Sequence, residues 1–275
     1  MGGLTLKNKL LIYTNNSSRS RLVKEEFLRK AQAKGLHIVD DQDSPDYIVT
    51  IGGDGTLLQA FHQFQAYLSQ AQFVGIHTGH LGFYTDWQPQ QMDELIQFLS
   101  QPKGQSITYP LLQVTLRYKD GKKESLLALN EFTLRSNKGT IVSEVFIKDY
   151  FFETFRGDGL CVATPTGSTG LSKSLGGAVI HPRLDALQMT EMASINNRVY
   201  RTLSGPIIIA KDEWIKLIPI ADKTAFSLSV DHLHYEDKAV QAIRVQIAQE
   251  RIAFASFKHL HFWNRVEGSF IGRKY

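Results

Sequence analysis

The sequence predicts two domains, an α/β domain with a parallel sheet followed by an all-β sandwich domain. Over roughly the first hundred residues, short apolar runs alternate with amphipathic segments, which is typical of a parallel α/β sheet. After Gly104 the apolar residues recur at every second position in several short runs, which indicates half-exposed antiparallel strands. We place the boundary near Tyr109, so the domains are residues 1–108 and 109–251, and the tail, 252–275, is compatible with either.

Length and composition are those of a globular protein in a reducing compartment. The chain has 275 residues, of which 43% are hydrophobic, and its 31 basic and 27 acidic residues give a net charge of +4. The sequence contains no signal peptide, no Lys/Arg-rich arm and no apolar run of bilayer length. The single cysteine, Cys161, excludes an internal disulfide and is expected to be a small buried hydrophobe. We therefore expect a cytoplasmic protein that binds neither nucleic acid nor membrane.

The first domain is expected to contain four strands and three helices. The apolar runs predict strands at residues 9–13, 36–39, 47–51 and 73–76. The first helix is expected to begin at one of Ser17, Ser18 and Ser20, to carry Leu22, Val23, Phe27 and Ala31, and to end at Gly35. The second carries Leu57, Phe61, Phe64 and Leu68, and the third begins near Pro89 and carries Met92, Leu95, Ile96 and Leu99.

The second domain is expected to be built from short antiparallel strands. Extended segments are predicted at residues 112–118, 126–134, 142–147, 214–220, 225–230 and 240–247, with a hairpin turn at Asp120-Gly121. Between them, residues 164–200 are less strand-like, and we expect a helix around residues 184–193.

An aspartate among glycines follows the predicted strand 47–51. Gly52, Gly53 and Gly55 surround Asp54 at the start of the second helix. Strand, glycine turn and helix bring backbone N–H groups close to a phosphate. An acid is costly beside phosphate, so Asp54 is expected to bind a metal, accept a proton or grip a sugar hydroxyl. The alternative is a tight turn whose aspartate caps the helix, since short glycine motifs match by chance.

Three further polar clusters are candidates for ligand binding. Asn130-Glu131 interrupts an apolar strand signal and is expected to bind ligand hydroxyls, or else to mark a strand end entering water. The segment 156–159, Arg-Gly-Asp-Gly, is a second acid between glycines or a surface turn. The segment 164–174 carries six hydroxyl residues before Leu175, and we interpret it as a ligand loop opening a helix rather than a flexible linker.

Several other kinds of site have little support in the sequence. The histidine pairs His232/His234 and His259/His261 lack the neighbouring cysteines or the His-Glu-x-x-His pattern of zinc sites, so we predict no protein-held metal. The P-loop pattern, the Gly-x-Gly-x-x-Gly turn of dehydrogenases and the Gly-x-Ser-x-Gly elbow of esterases are also absent from the sequence.

Taken together, these motifs resemble the NAD kinase family. The segments 52–56, 130–131, 157–159 and 164–169 stand in the family's order, and the resemblance covers nearly the whole chain. The segments 77–83 and 192–198 are similar to the Gram-positive bacterial branch. The glycine–aspartate motif alone also occurs in diacylglycerol and sphingosine kinases.

The resemblance implies phosphoryl transfer from ATP, or polyphosphate, to the 2′-hydroxyl of the adenosine ribose of NAD, giving NADP. It implies that Asp54 is the catalytic proton acceptor and that Mg²⁺ arrives with ATP. It further implies a Rossmann-like α/β domain with the tail packed back on it, and a homodimer or homotetramer with the Ala193 stretch near a subunit boundary. By the same resemblance the dinucleotide is bound by Gly55, Asn130, Glu131, Arg156, Asp158, Thr166, Thr169, Gly170, Leu171, Ser172, Lys173, Ser174, Ala193 and His232.

One position departs from the family pattern. The family usually has Ala-Tyr after the second threonine of the hydroxyl loop, whereas this chain has Gly170-Leu171, so a tyrosine contact to the dinucleotide is missing. The competing functions are a lipid kinase, which would need a membrane-facing patch that the sequence does not show, and a non-catalytic dinucleotide sensor, which would not need Asp54.

Overall fold

The structure is a computed structural model that describes residues 8–79, 82–220, 226–236, 239–257 and 262–272. The chain forms two compact units. One consists of Met1–Thr108 with Arg251–Tyr275, and the other of Tyr109–Glu250. Each unit has its own hydrophobic core.

The first unit is the expected parallel α/β structure. Its strands lie in the order β2-β1-β3-β4, and all the pairs among them are parallel. Phe254, in the tail, pairs in parallel with Phe73. The elements before residue 100 are β1 (Lys9–Thr14), α1 (Ser18–Ala33), β2 (His37–Val39), β3 (Tyr47–Gly52), α2 (Asp54–Gln63), β4 (Gln72–His77) and α3 (Met92–Leu99), with 3-10 turns at Gln65–Tyr67 and Pro89–Gln91.

Helix α1 begins and ends where the sequence predicts. The side chain of Ser17 caps it by accepting a hydrogen bond from the Ser20 amide. Gly35, with φ of 69°, follows the last turn in the left-handed conformation. Phe27 and Val23 are buried, but Leu22 is 66% exposed. Successive residues of a helix point about 100° apart, so Leu22 does not share the buried face of Val23. The core of this unit lies between such helix faces and the strands β3 and β4, whose residues are all buried.

The second unit is an antiparallel sandwich of two sheets. One sheet has the order β12-β11-β10-β7-β14-β15, and the other has the order β6-β5-β16-β13-β8-β9. The elements are β5 (Ser106–Tyr118), β6 (Lys123–Ala128), β7 (Glu131–Ser136), β8 (Ile141–Ile147), β9 (Tyr150–Gly157), β10 (Gly159–Ala163), α4 (Leu171–Ser174), β11 (Ala186–Met192), β12 (Ile207–Ala210), β13 (Trp214–Pro219), β14 (Phe226–Val230), β15 (Leu233–Glu236) and β16 (Val240–Ala255). Alternate residues of both sheets form one core, as the period of two predicts.

The predicted helix around residues 184–193 is wrong, since the chain there forms strand β11. Ala, Leu, Gln, Met and Glu favour helices in isolation. This segment, however, pairs with β10 on one side and β12 on the other, and Leu187 is fully buried. Pairing on both edges outweighs the local helix preference.

The predicted strand 126–134 is interrupted at Leu129 and Asn130, between β6 and β7. The backbone amides of these residues donate to the side chain of Asp231 instead of to a neighbouring strand. The sequence patterns also do not predict β9, β10, β12 or β15. The first residue of the predicted strand 225–230 lies outside the described residues.

The part of the tail that the structure describes from Phe262 onward is helical up to Ile271. Its elements are α5 (Phe262–Val266) and a π-helical turn at Glu267–Ile271. In the parts of the chain that the structure describes, no helix combines the length and apolar character needed to cross a membrane.

Candidate active site

The glycine turn joins β3 directly to α2. A Cβ on Gly52 would lie 2.1 Å from Thr56 Oγ1, so only glycine permits this close approach. The N-cap of α2 is Gly53, and no side chain caps the helix there. A Cβ on Gly53 or on Gly55 would meet no atom within 4 Å, so the helix N-terminus opens to solvent. This is the arrangement that binds phosphate in other proteins.

Asp54 does not cap the helix, so the alternative interpretation of the motif is wrong. Its Oδ2 accepts a 2.7 Å hydrogen bond from the Phe83 amide, and its Oδ1 accepts a 3.0 Å hydrogen bond from the Tyr84 amide. The carboxylate lies so close to Gly82 that a Cβ there would be 2.1 Å from Oδ1. The loop after β4 therefore fixes the orientation of Asp54, which is half-buried.

Arg265 in α5 supports that loop and is a residue that the sequence analysis missed. It is 6% exposed, and its guanidinium donates to the Phe83 carbonyl and pairs with Asp86. Burial lowers the pKa of Arg265 to about 10, and the negative charge of Asp54 acts in the opposite direction. Nothing in the spacing of the aromatic and basic tail distinguishes this arginine from its neighbours.

The hydroxyl loop of the second unit is ordered by its own side chains. Thr164 Oγ1 donates to the Leu129 carbonyl at 2.7 Å and accepts from the Gly167 amide at 2.9 Å. Thr166 Oγ1 donates to the same carbonyl at 3.2 Å. A Cβ on Gly167 would lie 2.0 Å from the backbone oxygen of Asn130, so the loop packs tightly on that residue. It is not a flexible linker.

Asp231 organises the Asn130-Glu131 segment, and the sequence analysis missed it. Its carboxylate accepts hydrogen bonds from three consecutive amides, at 2.8 Å from Leu129, 2.7 Å from Asn130 and 3.1 Å from Glu131. Asp231 is 9% exposed and has a left-handed φ of 53°. An acid at the end of an apolar strand is a sequence signal for such a role. Asn130 and Glu131 are half-buried, so they do not simply mark a strand end in water.

Glu131 has an unusual protonation equilibrium. Burial, and secondarily the charge of Asp231, raise its pKa to about 7, while Arg135 acts in the opposite direction. Near neutral pH its carboxyl group is therefore able both to donate and to accept hydrogen bonds. Its Oε2 would lie 3.6 Å from a Cβ on Gly170, which places the hydroxyl loop beside it.

The register of the β12-β11-β10-β7-β14-β15 sheet brings several predicted residues together. Ala163, at the end of β10, lies opposite Glu131, and Phe132 lies opposite Val230, at the end of β14. The residues that meet at this edge, here called the Glu131 cluster, are Asn130, Glu131, Thr166, Thr169, Gly170 and Asp231. His232 follows Asp231 in the turn to β15 and is exposed.

Three predicted residues lie at the opposite end of β10. The Asp158 amide donates to the Met192 carbonyl at 2.9 Å, and Ala193 follows with φ of 46°. Arg156 Nε donates to Thr140 Oγ1 at 3.2 Å, and its guanidinium lies 5.2 Å from the centre of the Tyr200 ring. Strand β10 has five residues, or roughly 13 Å. The structure therefore places the predicted dinucleotide residues of this unit in two groups.

Comparison with known proteins gives the same assignment for both units. Residues 11–103 match the family model of the ATP-NAD kinase N-terminal domain, and residues 129–257 match that of the C-terminal domain. The chain belongs to the ATP-NAD kinase family. It is 48% identical over 268 residues to a NAD kinase of Latilactobacillus sakei subsp. sakei, and the matched region covers 97% of this chain and 99% of the relative.

Two solved structures have the fold of this ATP-NAD kinase family member. Yeast NADH kinase, solved in complex with NADH, has a TM-score of 0.82 and 22% identity, and the match covers 98% of this chain and 88% of that one. A NAD kinase from Archaeoglobus fulgidus, solved in complex with ATP, has a TM-score of 0.76 and 21% identity, and the match covers 96% and 99% of the two chains.

Helix α4 and its N-cap, Gly170, contain five of the residues that the resemblance to NAD kinases assigns to dinucleotide binding, namely residues 170–174. Two of them face the protein, since Leu171 packs against Cys161, Ala163 and Met192, and Ser172 is buried and accepts a 2.8 Å hydrogen bond from Gln188. Lys173 is half-buried, and Ser174 is exposed. Leu171, which stands where the NAD kinase family usually has tyrosine, therefore contributes to packing.

The structure also bears on the predictions for the single cysteine and for metal-ligating side chains. Cys161 is fully buried, and burial raises its pKa to about 12, so it is the expected small hydrophobe. In the described ranges, no three or more His, Cys, Asp or Glu side chains are grouped to hold a metal ion. His259 and His261 lie outside those ranges. Asp54 and Gly55 belong to the first unit, and the other predicted site residues belong to the second.

Proposed function

We propose that this protein transfers a phosphoryl group from ATP to the 2′-hydroxyl of the adenosine ribose of NAD, giving NADP. The observation that carries the proposal is the position of Asp54, which stands at the uncapped N-terminus of α2 with both carboxylate oxygens oriented by backbone amides. Family membership supports the same phosphotransferase reaction.

Asp54 acts in this proposal as the proton acceptor. A secondary hydroxyl is a weak nucleophile until its proton has an acceptor, and a positioned carboxylate typically contributes about 10²–10⁴-fold to the rate. Each Asp54 oxygen receives one amide hydrogen bond and keeps a further lone pair for the hydroxyl proton. The open backbone around Gly53 and Gly55 would receive the phosphates of the donor.

The Glu131 cluster binds the dinucleotide in this proposal. The Asn130 amide side chain and a Glu131 carboxyl with a pKa of about 7 offer both donors and acceptors. Such a pair suits two neighbouring ribose hydroxyls or the edge of an adenine ring. Thr166 is held by hydrogen bonds to the Leu129 carbonyl and Thr164, so it contributes to the shape of the site more than to ligand contacts.

Magnesium is proposed to arrive with the donor nucleotide. Mg²⁺ commonly keeps several waters and is held by substrate phosphates with one or two carboxylates, so it does not need a protein cage. The described residues fit this mode because Asp54 supplies a carboxylate beside the proposed phosphate site. The ion, when bound, would neutralise charge on the transferring phosphate.

The proposal also includes a cytoplasmic location and an oligomeric state. The chain's single cysteine, which is buried, supports the proposed cytoplasmic location. The separation of Arg156, Asp158 and Ala193 from the Glu131 cluster supports a homodimer or homotetramer in which two copies complete each dinucleotide site. Light scattering after size-exclusion chromatography would test this, and a monomer with full activity would contradict it.

The reaction itself is tested by a dehydrogenase-coupled assay for NADP. Purified protein would be incubated with NAD or NADH, Mg²⁺ and either ATP or inorganic polyphosphate. We expect NADP to form, and the four combinations identify the preferred donor and acceptor. No NADP or NADPH with any combination would contradict the proposal, and phosphorylation of diacylglycerol or sphingosine in parallel reactions would replace it with a lipid kinase.

A further inference from the structure

We propose that the outer face of the β6-β5-β16-β13-β8-β9 sheet in the second unit binds a multiply charged phosphate chain, at a site separate from those described above. The site is a groove of about 410 Å³. Its nine lining residues include four cationic side chains and no carboxylate. The residues are Gln113, Thr115, Arg117, Lys123, Lys216, Ala242, Ile243, Arg244 and Gln246.

The four cations stand on four neighbouring strands. Lys123 is on β6, Arg117 on β5, Arg244 on β16 and Lys216 on β13, which is the order of the strands in the sheet. Three strand spacings give the row a width of about 14 Å. A chain of several phosphates can contact most of such a row, whereas a single phosphate reaches only one or two of its cations.

The cross-strand register places like charges directly opposite each other. Arg117 is opposite Lys123, and Lys216 is opposite Arg244. Like-charged pairs at such positions destabilise a sheet. Within the described parts of the chain, none of the four side chains makes an ion pair with an acid. Folding alone therefore gives no reason for this charge pattern, and a bound polyanion does.

The groove also orients its cations. The Arg244 guanidinium lies 3.9 Å from the centre of the Trp214 ring, and Lys216 Nζ lies 4.1 Å from that of Phe146. Gln246 Nε2 donates to Gln113 Oε1 at 2.8 Å, and Gln113 Nε2 donates to Ser125 Oγ at 3.1 Å. The planar guanidinium of Arg244, held in this way, matches the paired oxygens of a phosphate group. The chemical class of the ligand is therefore an oligophosphate.

Isothermal titration calorimetry with inorganic tripolyphosphate, in the absence of NAD, tests the proposal. The test variant is the double substitution Lys216→Gln and Arg244→Gln. The control is Arg29→Gln with Lys34→Gln, which removes the same charge from two exposed positions, one in α1 and one directly after it. We expect the test variant to bind tripolyphosphate at least tenfold more weakly and the control to stay within twofold of the unmodified protein. Orthophosphate should bind at least tenfold more weakly than tripolyphosphate.

Amide chemical shifts, measured by NMR in a parallel titration with tripolyphosphate, locate the site. Thr115, Ala242 and Arg244 should shift with tripolyphosphate in the unmodified protein, while a phosphate chain bound at the Asp54 turn would leave them in place. Unchanged shifts there, or equal affinity in the test variant, would overturn the proposal. A test variant with unchanged affinity but a smaller mass in solution would assign the face to contact with a second copy instead.

Discussion

The Phe83 amide donates a 2.7 Å hydrogen bond to Oδ2 of Asp54, and so connects the loop after β4 to the proposed proton acceptor. The carbonyl of the same residue accepts a hydrogen bond from Arg265, which also pairs with Asp86. Arg265, a buried arginine in the tail, thus fixes the backbone of the loop after β4, and that loop in turn orients the Asp54 carboxylate. Because amides orient Asp54, its direction depends on the backbone of this loop more than on its own rotamer.

Replacing Gly82 with alanine should displace Asp54. The added Cβ would lie 2.1 Å from Oδ1, and the carboxylate would have to move away from the two amides. We expect kcat for NADP formation to fall about 10- to 100-fold, because small misplacements of a catalytic group carry costs of this size. The control is Gly79→Ala, since a Cβ there would meet no atom within 4 Å. Equal kcat in both variants would show that the loop does not position Asp54.

Much of the fold follows from local sequence patterns, and the missed parts depend on distant contacts. The strands of the first unit and both ends of α1 were predictable because apolar periodicity and capping residues act locally. Strand β11 was not, because its residues favour helix and only pairing with β10 and β12 makes it a strand. The break before β7 depends on Asp231, about a hundred residues away.

The candidate site shows the same division. The glycines around Asp54 mark the turn directly, and the hydroxyl residues mark the second loop. The amides of Phe83 and Tyr84 and the guanidinium of Arg265 act through contacts that no spacing in the sequence reveals. For Asp231 the sequence signal is its position at the end of an apolar strand, but its partners about a hundred residues away are visible only in the structure. Sequence motifs therefore indicated the groups that we propose to touch ligands, and the structure identified the groups that orient Asp54 and the Asn130-Glu131 segment.

The substitution Asp231→Asn should destabilise the sandwich unit. The carboxylate accepts three amide hydrogen bonds, and an asparagine has only one acceptor oxygen and places an NH₂ group against a donor. We expect a loss of about 2–4 kcal/mol in the free energy of unfolding, measured by urea denaturation.

The matched control for this loss is Asp120→Asn. Asp120 is exposed in a hairpin turn and accepts one bond, from the Lys122 amide at 3.0 Å. Its substitution should cost less than about 1 kcal/mol. If the two substitutions cost the same, Asp231 would not have the organising role assigned to it.

Glu153 should make the stability of the protein depend on pH. It is 6% exposed in β9, its Oε2 accepts a 2.9 Å bond from the Leu203 amide, and its Oε1 has no hydrogen-bond partner among the described residues. Burial, with a smaller effect of Glu191, raises its pKa from 4.5 to about 7. Because the folded pKa is the higher one, the contribution of Glu153 to stability is complete below pH 4.5 and is lost as the pH rises through about 7.

The substitution Glu153→Gln removes that titration. From pH 5 to pH 8, the free energy of unfolding of the variant should improve relative to the unmodified protein by about 1–3 kcal/mol. Urea denaturation at both pH values measures the change, and Glu25→Gln, at an exposed position of α1, is the control and should show no such trend. A constant difference between the Glu153 variant and the unmodified protein at the two pH values would contradict the assigned protonation.

The role of Asp54 is tested most directly by measuring turnover and NAD binding separately in Asp54→Asn. Asparagine keeps an acceptor oxygen near the Phe83 amide but cannot take the hydroxyl proton. We expect kcat for NADP formation to fall at least about a hundredfold, while the Kd for NAD stays within a few fold. A variant that retains kcat within a few fold would contradict the assignment of Asp54 as the group that accepts the ribose proton.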